Sequence, residues 1–206
     1  RIRPYLGVPE LKLFGRTLLE QRPGFFASAS STSPERAGIA AAAQGTFLML
    51  LVVLVLAVPV GVLAAVYLEK FAPRNQFTDF MEININNLAA VPSIIFGILG
   101  AAVIIQWLFP GSRGFPIVGG TVLAFMTLPT VIIAARAAIG AVPPSYEEAA
   151  LGMGASHQQS VFQHVLPAAL PGIASGVIIG LAQAAGETAP LLMVGMNAFI
   201  NDVCDA

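Results

Sequence analysis

Four apolar runs, each long enough to cross a membrane as a helix, alternate with short polar segments along this chain. A membrane-spanning helix needs about 20 mostly apolar residues, because the hydrocarbon core of a bilayer is about 30 Å thick. The runs predict spanning helices at about 46–68, 88–109, 117–139 and 170–194. We therefore predict an all-α fold, a polytopic membrane helix bundle, with residues 1–45 as an extramembrane segment and 46–206 as the transmembrane domain.

Composition supports a membrane location. Charged residues make up 10% of the 206 residues, against about 25% in a typical soluble domain, and the mean hydropathy is +0.80. So few charges cannot cover a soluble exterior, and the apolar surplus must face lipid. The net charge of −1 and the lack of a basic run give no indication of nucleic-acid binding. The single cysteine, Cys204, cannot form an internal disulfide and is too isolated for a metal site.

The distribution of basic residues orients the predicted spans. The loop after the first span holds Lys70 and Arg74, whereas the next loop holds only Arg113. Cytoplasmic loops carry an excess of lysine and arginine, so the Lys70 loop is predicted to lie in the cytoplasm. A polar loop at 143–167, two spans later, then lies on the same side. The N-terminal segment would lie outside although it holds six basic residues, because long segments partly escape the rule.

The polar loop at 143–167 carries start and stop signals for two short helices. Proline ends a helix, a serine followed three residues later by an acidic or amide residue starts one, and glycine accepts the left-handed backbone at a helix end. The signals are, in chain order, Pro143-Pro144, a Ser145–Glu148 capping box, Gly152 with Gly154, a Ser156–Gln159 capping box, and Pro167. The second helix is predicted to have a polar face of His157, Ser160 and His164. Two such helices are either a well-capped connector or a docking surface for a partner protein.

The spacing within this loop resembles a known signature. Glu148-Ala149-Ala150, three further residues, Gly154, and then Leu166-Pro167 are similar to the EAA motif of ABC-importer permeases. The resemblance implies the type I ABC importer permease fold, in which a cytoplasmic coupling-helix loop docks on a separate ATPase subunit. This loop departs from the family at His164, where a small aliphatic residue is usual, and in its lack of basic residues.

The fourth apolar run contains a carboxyl group and a glycine repeat. Glu187 lies in LAQAAGETAPLLMVG, and a charge near the bilayer centre costs about 2.5–3.5 kcal/mol on insertion scales, so it normally faces a protein interior or an aqueous path. Pro190 is predicted to break the helix after it. Upstream, Gly172, Gly176 and Gly180 predict a smooth face on which another helix packs closely. Glu187 is accordingly a structural group between helices, a part of a pathway, or both.

Three further segments resemble one branch of the ABC permeases. AGETAPLL, NLAAVPSIIFGILG from Asn87 to Gly100, and VGVLAAVYLEKFA from Val60 to Ala72 are similar to the PstA-type permeases of phosphate ABC importers. By that alignment the chain lacks the first and last of six spans. The family commonly has arginine where this chain has Gln183. Glutamine offers an anion only neutral hydrogen bonds, whereas arginine offers charged ones.

The resemblance implies a permease subunit of an ATP-driven importer in the inner (plasma) membrane, with inorganic phosphate as the expected cargo. The expected partners, besides membrane lipid, are an ABC ATPase subunit, a second homologous permease subunit and a soluble phosphate-binding protein. ATPase coupling is expected at Glu148, Ala149, Ala150, Gly154, Leu166 and Pro167. The translocation path is expected at Gln183, Glu187 and Thr188.

Two alternative functions stay open. Permeases for other oxyanions, sulfate or molybdate, share the EAA loop, and an ion-coupled secondary carrier would use Glu187 to carry a proton. Such carriers often show internal repeats and two broken helices in matching positions, whereas this chain shows one polar-interrupted span and no repeat. It has no G-x-x-x-x-G-K-[ST] loop. We therefore expect the partner to hydrolyse ATP, and this chain to hold no cofactor or metal and to be no enzyme.

Three other polar or glycine features have competing interpretations. Arg136, at the end of the third span, either extends to the membrane interface or pairs with Glu147 or a partner chain. Gly119-Gly120 forms either a tight turn or an anion site built from backbone amides. His157 and His164 are two helical turns apart, about 10.5 Å, which is too far for one metal ion, so we expect them to be solvated.

Overall fold

The computed structural model describes residues 40–108, 110 and 114–195, and every regular element within those residues is a helix. Three segments are π-helical, with backbone N–H groups bonded five residues back. The elements are α1 (Ala40–Val66), π1 (Tyr67–Phe71), α2 (Gln76–Ala89), α3 (Ser93–Leu99), π2 (Gly100–Leu108), α4 (Pro116–Gly140), α5 (Pro144–Gly152), α6 (His157–Ser160), π3 (Val161–Val165), α7 (Leu166–Gly186) and α8 (Ala189–Met193). The segment at 1–39 and Cys204 lie outside the described residues.

Within the part of the chain that the structure describes, three helices are long and apolar enough to cross a membrane: Ala42–Phe71, Pro116–Gly140 and His157–Gly186. A fourth candidate is the pair Gln76–Ala89 and Ser93–Trp107, whose two helices bend by 98° at the break between them. The apolar run predicted as one helix at 88–109 is therefore the end of α2 followed, after a break, by α3 and π2. The physical reason is Pro92, which occupies the N-cap of α3 and disfavours helical backbone at the residue before it.

Helix α1 packs against α4 at two close approaches made by glycine. A Cβ added at Gly61 would stand 2.7 Å from a methyl carbon of Val131. A Cβ added at Gly120 would stand 2.7 Å from the Val52 Cβ and 2.8 Å from the Met49 carbonyl oxygen. Gly119-Gly120 is thus neither a tight turn nor an exposed amide site, because both glycines are buried helical residues of α4, and Gly120 lets α1 approach closely.

Helix α7 lies against α4 along the predicted glycine face. A Cβ at Gly172 would meet the Ala138 Cβ at 2.8 Å, one at Gly176 would meet the Ala134 Cβ at 2.4 Å, and one at Gly180 would meet Val131 at 3.5 Å. The partners are spaced three or four residues apart on α4, so two helical stripes face each other. The prediction that this repeat serves close helix packing is confirmed.

The second helix of the 143–167 loop does not end at Pro167. It continues through π3 into α7, so that His157–Gly186 is one helix of 30 residues. Proline normally breaks a helix because it lacks the N–H and its ring clashes with the carbonyl four residues back. Here a π turn comes directly before it, and the Leu166 N–H bonds to the Val161 carbonyl five residues back. The wider turn changes which backbone groups are hydrogen-bonded just before Pro167, and the helix continues past the proline.

Candidate functional site

The first helix of the loop, α5, begins two residues earlier than the capping box predicted. Pro143 is the N-cap and Pro144 is the first helical residue. Proline suits that position because its fixed φ matches the helix and the N–H that it lacks would have no intrahelical partner. Ser145 is therefore already inside the helix, and the Ser145–Glu148 capping box is wrong.

The end of α5 is a Schellman turn centred on Gly154. The Ala155 N–H bonds to the Ala150 carbonyl at 3.1 Å, and the Gly154 N–H bonds to the Leu151 carbonyl at 2.9 Å. Gly154 has φ +89°, a left-handed conformation that costs other residues a steric penalty. Gly152 is an ordinary helical residue with a negative φ, so only Gly154 terminates the helix.

The second capping box, Ser156–Gln159, is confirmed. The Gln159 N–H bonds to the Ser156 hydroxyl at 3.3 Å, and the Gln159 side chain accepts from the Ser156 N–H at 2.9 Å. The predicted polar face behind it is only partly correct. Ser160 is fully buried and donates to the Glu147 carbonyl at 3.3 Å, since its side chain faces α5 rather than solvent.

The EAA residues divide into a buried anchor and an exposed surface. Ala150 is 1% exposed, at the contact between the two loop helices, whereas Glu148 and Ala149 are exposed. The turn after them presents apolar side chains: Met153 is 79% exposed and Leu151 is 43% exposed. Farther along, Leu166 is half-buried, Pro167 is exposed, and both lie in the helix that leads into the membrane. The loop therefore presents a charged and apolar tip on a fixed base.

An ionic cluster fixes this loop to the membrane-spanning helices. Lys70 Nζ lies 2.8 Å from Glu147 Oε2. Arg136 contacts Glu69 at 3.3 Å and Glu82 at 2.8 Å. Of the alternatives left open for Arg136, the pairing with Glu147 is not the one observed, because Lys70 occupies that carboxylate. The cluster also shows that the Lys70 turn and the 143–167 loop lie at the same end of the bundle, as the orientation argument required.

The imidazole of His157 belongs to the same cluster and is not simply solvated. Its Nε2 lies 3.1 Å from the Lys70 carbonyl oxygen and its Nδ1 lies 3.3 Å from Glu147 Oε1. The Phe71 ring stands edge-on to it, with 5.2 Å between the ring centroids. Both ring nitrogens therefore face oxygen atoms of the cluster.

The residues expected along the translocation path lie where α7 ends. Gln183 is exposed on the last turns of α7, Glu187 is partly buried just after the helix, and Thr188 is exposed. The helix stops at Gly186, before Glu187 rather than after it. Because Pro190 has no N–H to give to the Gly186 carbonyl, the helical ladder cannot continue, and α8 starts at Ala189.

The two most specific sequence segments of the resemblance contact each other. A Cβ added at Gly97, within NLAAVPSIIFGILG, would stand 2.6 Å from the Pro190 Cα of AGETAPLL. The short helix α3 thus packs directly on α8, the helix that follows the break containing Glu187 and Thr188. This contact explains why a glycine is needed at position 97, because the two backbones approach closely there.

Comparison with known proteins agrees with this arrangement. Residues 46–203 match the family described as binding-protein-dependent transport system inner membrane component. The chain belongs to this family. It is a multi-pass protein of the inner membrane, in agreement with the three candidate spanning helices among the described residues, and the resemblance to PstA-type permeases is confirmed by its relatives.

The chain is 33% identical over 168 residues to the phosphate transport system permease protein PstA 1 of Mycobacterium tuberculosis (80% of this chain, 53% of the relative). It is 31% identical over 172 residues to the probable ABC transporter permease protein YqgI of Bacillus subtilis (82% of this chain, 56% of the relative). The chain thus spans about half the length of these relatives.

One solved structure is an inward-facing form of the MetNI methionine ABC transporter, with a TM-score of 0.58 and 22% identity, covering 88% of this chain and 74% of that one. At this identity the likeness shows the fold alone. The prediction of an all-α, type I ABC importer permease fold is confirmed.

Sequence reasoning missed the ionic cluster of Glu69, Lys70, Glu82, Arg136 and Glu147. A signal was present: LEKF closes the first span with both signs of charge, at the same predicted membrane face as Arg136 and Glu147. Charges that flank spans on one face have few other partners of opposite sign. The sequence therefore allows the prediction that these charges pair, but it does not indicate which carboxylate each cation contacts.

Proposed function

We propose that this chain is the membrane-spanning subunit of an ATP-driven importer for inorganic phosphate. Its 143–167 loop docks on a separate ATPase subunit, and a second permease subunit completes the pore. A soluble phosphate-binding protein delivers the anion from outside. Nucleotide binding and hydrolysis in the ATPase subunits move the docked loops and exchange inward-open and outward-open states.

The observation that carries the proposal is the tip of the 143–167 loop. Met153, Leu151 and Glu148 are exposed there, on a turn whose backbone is fixed by the Schellman motif and by the buried Ala150. An amphipathic helix end with flexible apolar side chains fits a groove on a partner protein. The fixed base below it suits transmission of force, since a loosely attached loop would absorb the movement of the partner.

The path for the anion is proposed at the α7–α8 break. An interrupted helix frees backbone groups, and within a membrane these are tolerated where they are buried in protein or line a water-filled cavity. Gln183 and Thr188 supply neutral hydrogen bonds on the exposed side of this break, beside the Glu187 carboxylate. Phosphate as the cargo is supported by the similarity to proteins named phosphate transport system permeases.

The alternative with a specific observation behind it is an ion-coupled carrier. Discontinuous helices with a carboxyl group also occur in such carriers, and Glu187 lies at a discontinuity. The exposed loop tip has no role in that mechanism. An importer for sulfate or molybdate would keep every feature of the loop and differ only in the cargo.

Reconstitution of the full-length protein decides among these functions. We expect it to co-purify with an ABC ATPase subunit and a second permease, and the complex to hydrolyse ATP faster when phosphate and its binding protein are present. Stimulation by sulfate or molybdate instead would change the cargo and keep the mechanism. Phosphate uptake that needs a proton gradient and no ATPase subunit would favour the carrier.

A further inference from the structure

The five-residue turn π1, which ends the first membrane-spanning helix, joins two sets of ion pairs that point to different parts of the protein. Lys70 contacts Glu147 in the 143–167 loop, called the coupling loop from here on, at 2.8 Å. The neighbouring Glu69 contacts Arg136 on α4 at 3.3 Å. Adjacent residues of a helix do not face the same way. Two consecutive charges of opposite sign can therefore reach partners on different elements.

The link from π1 to the coupling loop has several components. The Lys70–Glu147 pair is only 20% and 21% exposed, so solvent screens it less than a surface pair. His157 bridges the Lys70 carbonyl oxygen and the Glu147 carboxylate. Phe71 places its ring against His157 and stacks on Phe162, with 6.2 Å between the latter ring centroids. Both helices of the loop are thus attached to the same turn.

The link from π1 to the membrane-spanning helices runs through one guanidinium group. Arg136 contacts Glu69 with Nε and Glu82 on α2 with Nη2, the latter at 2.8 Å. The planar fork of arginine holds two carboxylates at fixed directions, which lysine cannot do. One side chain of α4 therefore holds both π1 and α2.

The connectivity of the chain shows why the polar contacts between π1 and the coupling loop matter. The coupling loop is joined covalently to α4 before it and to α7 after it, whereas α1 lies far away in the sequence: Lys70 and Glu147 are 77 residues apart. Without the polar contacts, a movement of the loop would reach α1 only through apolar packing, which is non-directional.

We infer that π1 is the element through which the coupling loop moves the first described membrane-spanning helix, with Lys70 and Glu147 as positioning residues of energy coupling. The inference rests on the proposed function, because it assigns a route to the force that the ATPase supplies. Lys70 and Glu147 hold the loop and π1 together as one body, and Glu69 with Arg136 extends that body to α4 and α2. Neither Lys70 nor Glu147 needs to touch the ATPase or the anion.

The test is a charge-reversal cycle in the reconstituted full-length complex with its ATPase subunit. The variants are Lys70→Glu, Glu147→Lys and the double exchange, and the matched control is Arg74→Glu. The control makes the same change of charge at an exposed residue four positions along the chain. The measurements are phosphate imported per ATP hydrolysed and the amount of ATPase subunit that co-purifies.

We expect each single reversal to lower phosphate imported per ATP roughly fivefold, with the ATPase subunit still bound. The double exchange should restore most of the loss, and Arg74→Glu should behave as the wild type. Single variants that stay fully coupled, or a double exchange no better than the worse single one, would overturn the inference.

Two further measurements keep the test decisive. If a reversal prevents assembly, His157→Phe retains the aromatic contact with Phe71 and removes both polar contacts, and it should lower the coupling ratio to a smaller degree. If His157→Phe and Lys70→Gln, tested as separate variants, both stay fully coupled, the inference that π1 connects the loop to the first spanning helix is wrong. A wild-type complex in which phosphate does not stimulate ATP hydrolysis would instead contradict the proposed function, so the two failures are distinguishable.

Discussion

Gly176 on α7 faces Ala134 on α4 so closely that a methyl group added at Gly176 would stand 2.4 Å from the Ala134 Cβ. Real carbon atoms do not approach to that distance without bonding, so the two helices must separate if the glycine is replaced. This contact is the tightest point on the stripe of α7 that packs against α4. Close approach of this kind is what holds helices together inside a membrane, where apolar surface gains little by burial.

Replacing Gly176 by alanine should therefore destabilise the protein. Overpacking a tight contact costs about 1–3 kcal/mol, which exceeds the gain of about 0.5–1 kcal/mol from placing alanine instead of glycine in a helix. The measurement is the thermal midpoint of the full-length protein in detergent, followed by monodispersity on a sizing column.

Gly180→Ala is the matched control for that experiment. It lies on the same stripe, but its added methyl would meet Val131 at 3.5 Å, an ordinary van der Waals contact. Its thermal midpoint should equal or exceed that of the wild type. Equal loss of stability in the two variants would mean that the α4–α7 packing is looser than the distances state.

The two glycines near the end of α5 should respond differently to the same substitution. Gly154→Ala places a side chain at φ +89° and should cost about 1–2 kcal/mol locally. Gly152→Ala keeps a helical φ, has open space around the new methyl, and should tighten the helix. Amide hydrogen exchange across 144–156 measures both effects: faster exchange is expected for Gly154→Ala and slower exchange for Gly152→Ala.

The efficiency of coupling should fall in the variant whose turn is loosened and not in the variant whose turn is tightened. Under the coupling proposal, Gly154→Ala lowers phosphate imported per ATP hydrolysed, because the exposed Met153 and Leu151 no longer keep one orientation toward the ATPase. Gly152→Ala leaves that ratio unchanged. Normal coupling in a Gly154→Ala protein with demonstrably faster exchange would show that the rigidity of this turn is not needed.

The elements that the sequence predicted well are those set by local chemistry. Long apolar runs give spanning helices, and the Ser156–Gln159 box and Gly154 act on residues within a few positions. The glycine repeat of α7 also has a local period, so its packing face was predictable. In each case the deciding interaction lies within one helix or one turn.

The errors arose where a distant contact or an alternative helix geometry decides the outcome. Pro167 does not end its helix because a π turn accommodates it, and no short pattern distinguishes such a turn from an α turn. Gly119-Gly120 lies inside α4, where Gly120 contacts α1, and the Glu147 carboxylate is occupied by Lys70, which is 77 residues away in the sequence. Such partners follow from the fold and not from neighbouring residues.

Glu187 offers a test of the proposed path that leaves the shape of the protein unchanged. Glu187→Gln keeps the size of the side chain, removes its capacity to carry a negative charge, and replaces one acceptor oxygen by an NH2 group that donates hydrogen bonds. Because the residue is partly buried at the α7–α8 break, we expect phosphate uptake to change severalfold while assembly with the ATPase subunit stays normal. Uptake assays in proteoliposomes measure this. Unchanged uptake with unchanged assembly would remove Glu187 from the path.

Gln183→Arg distinguishes an aqueous path from a lipid-facing surface at the same place. Gln183 is exposed one helical turn before Glu187. If this side lines the path, an arginine there attracts the anion and pairs with the carboxylate, so the KM for phosphate should fall while expression stays normal. If this side faces lipid, the charge costs about 2.5–3.5 kcal/mol on insertion, and the amount of protein in the membrane should fall.

The two outcomes are separated by measuring membrane yield and uptake kinetics on the same preparation, with Gln183→Leu as the control. Leucine suits a lipid-facing position and harms a polar path. Along a path it should weaken phosphate uptake where arginine lowers the KM, and against lipid it should keep the membrane yield that arginine reduces. Reduced yield for arginine with normal uptake for leucine would place Gln183 against lipid. The path would then have to be sought away from this face of α7, because Gln183 would no longer accompany Glu187 and Thr188.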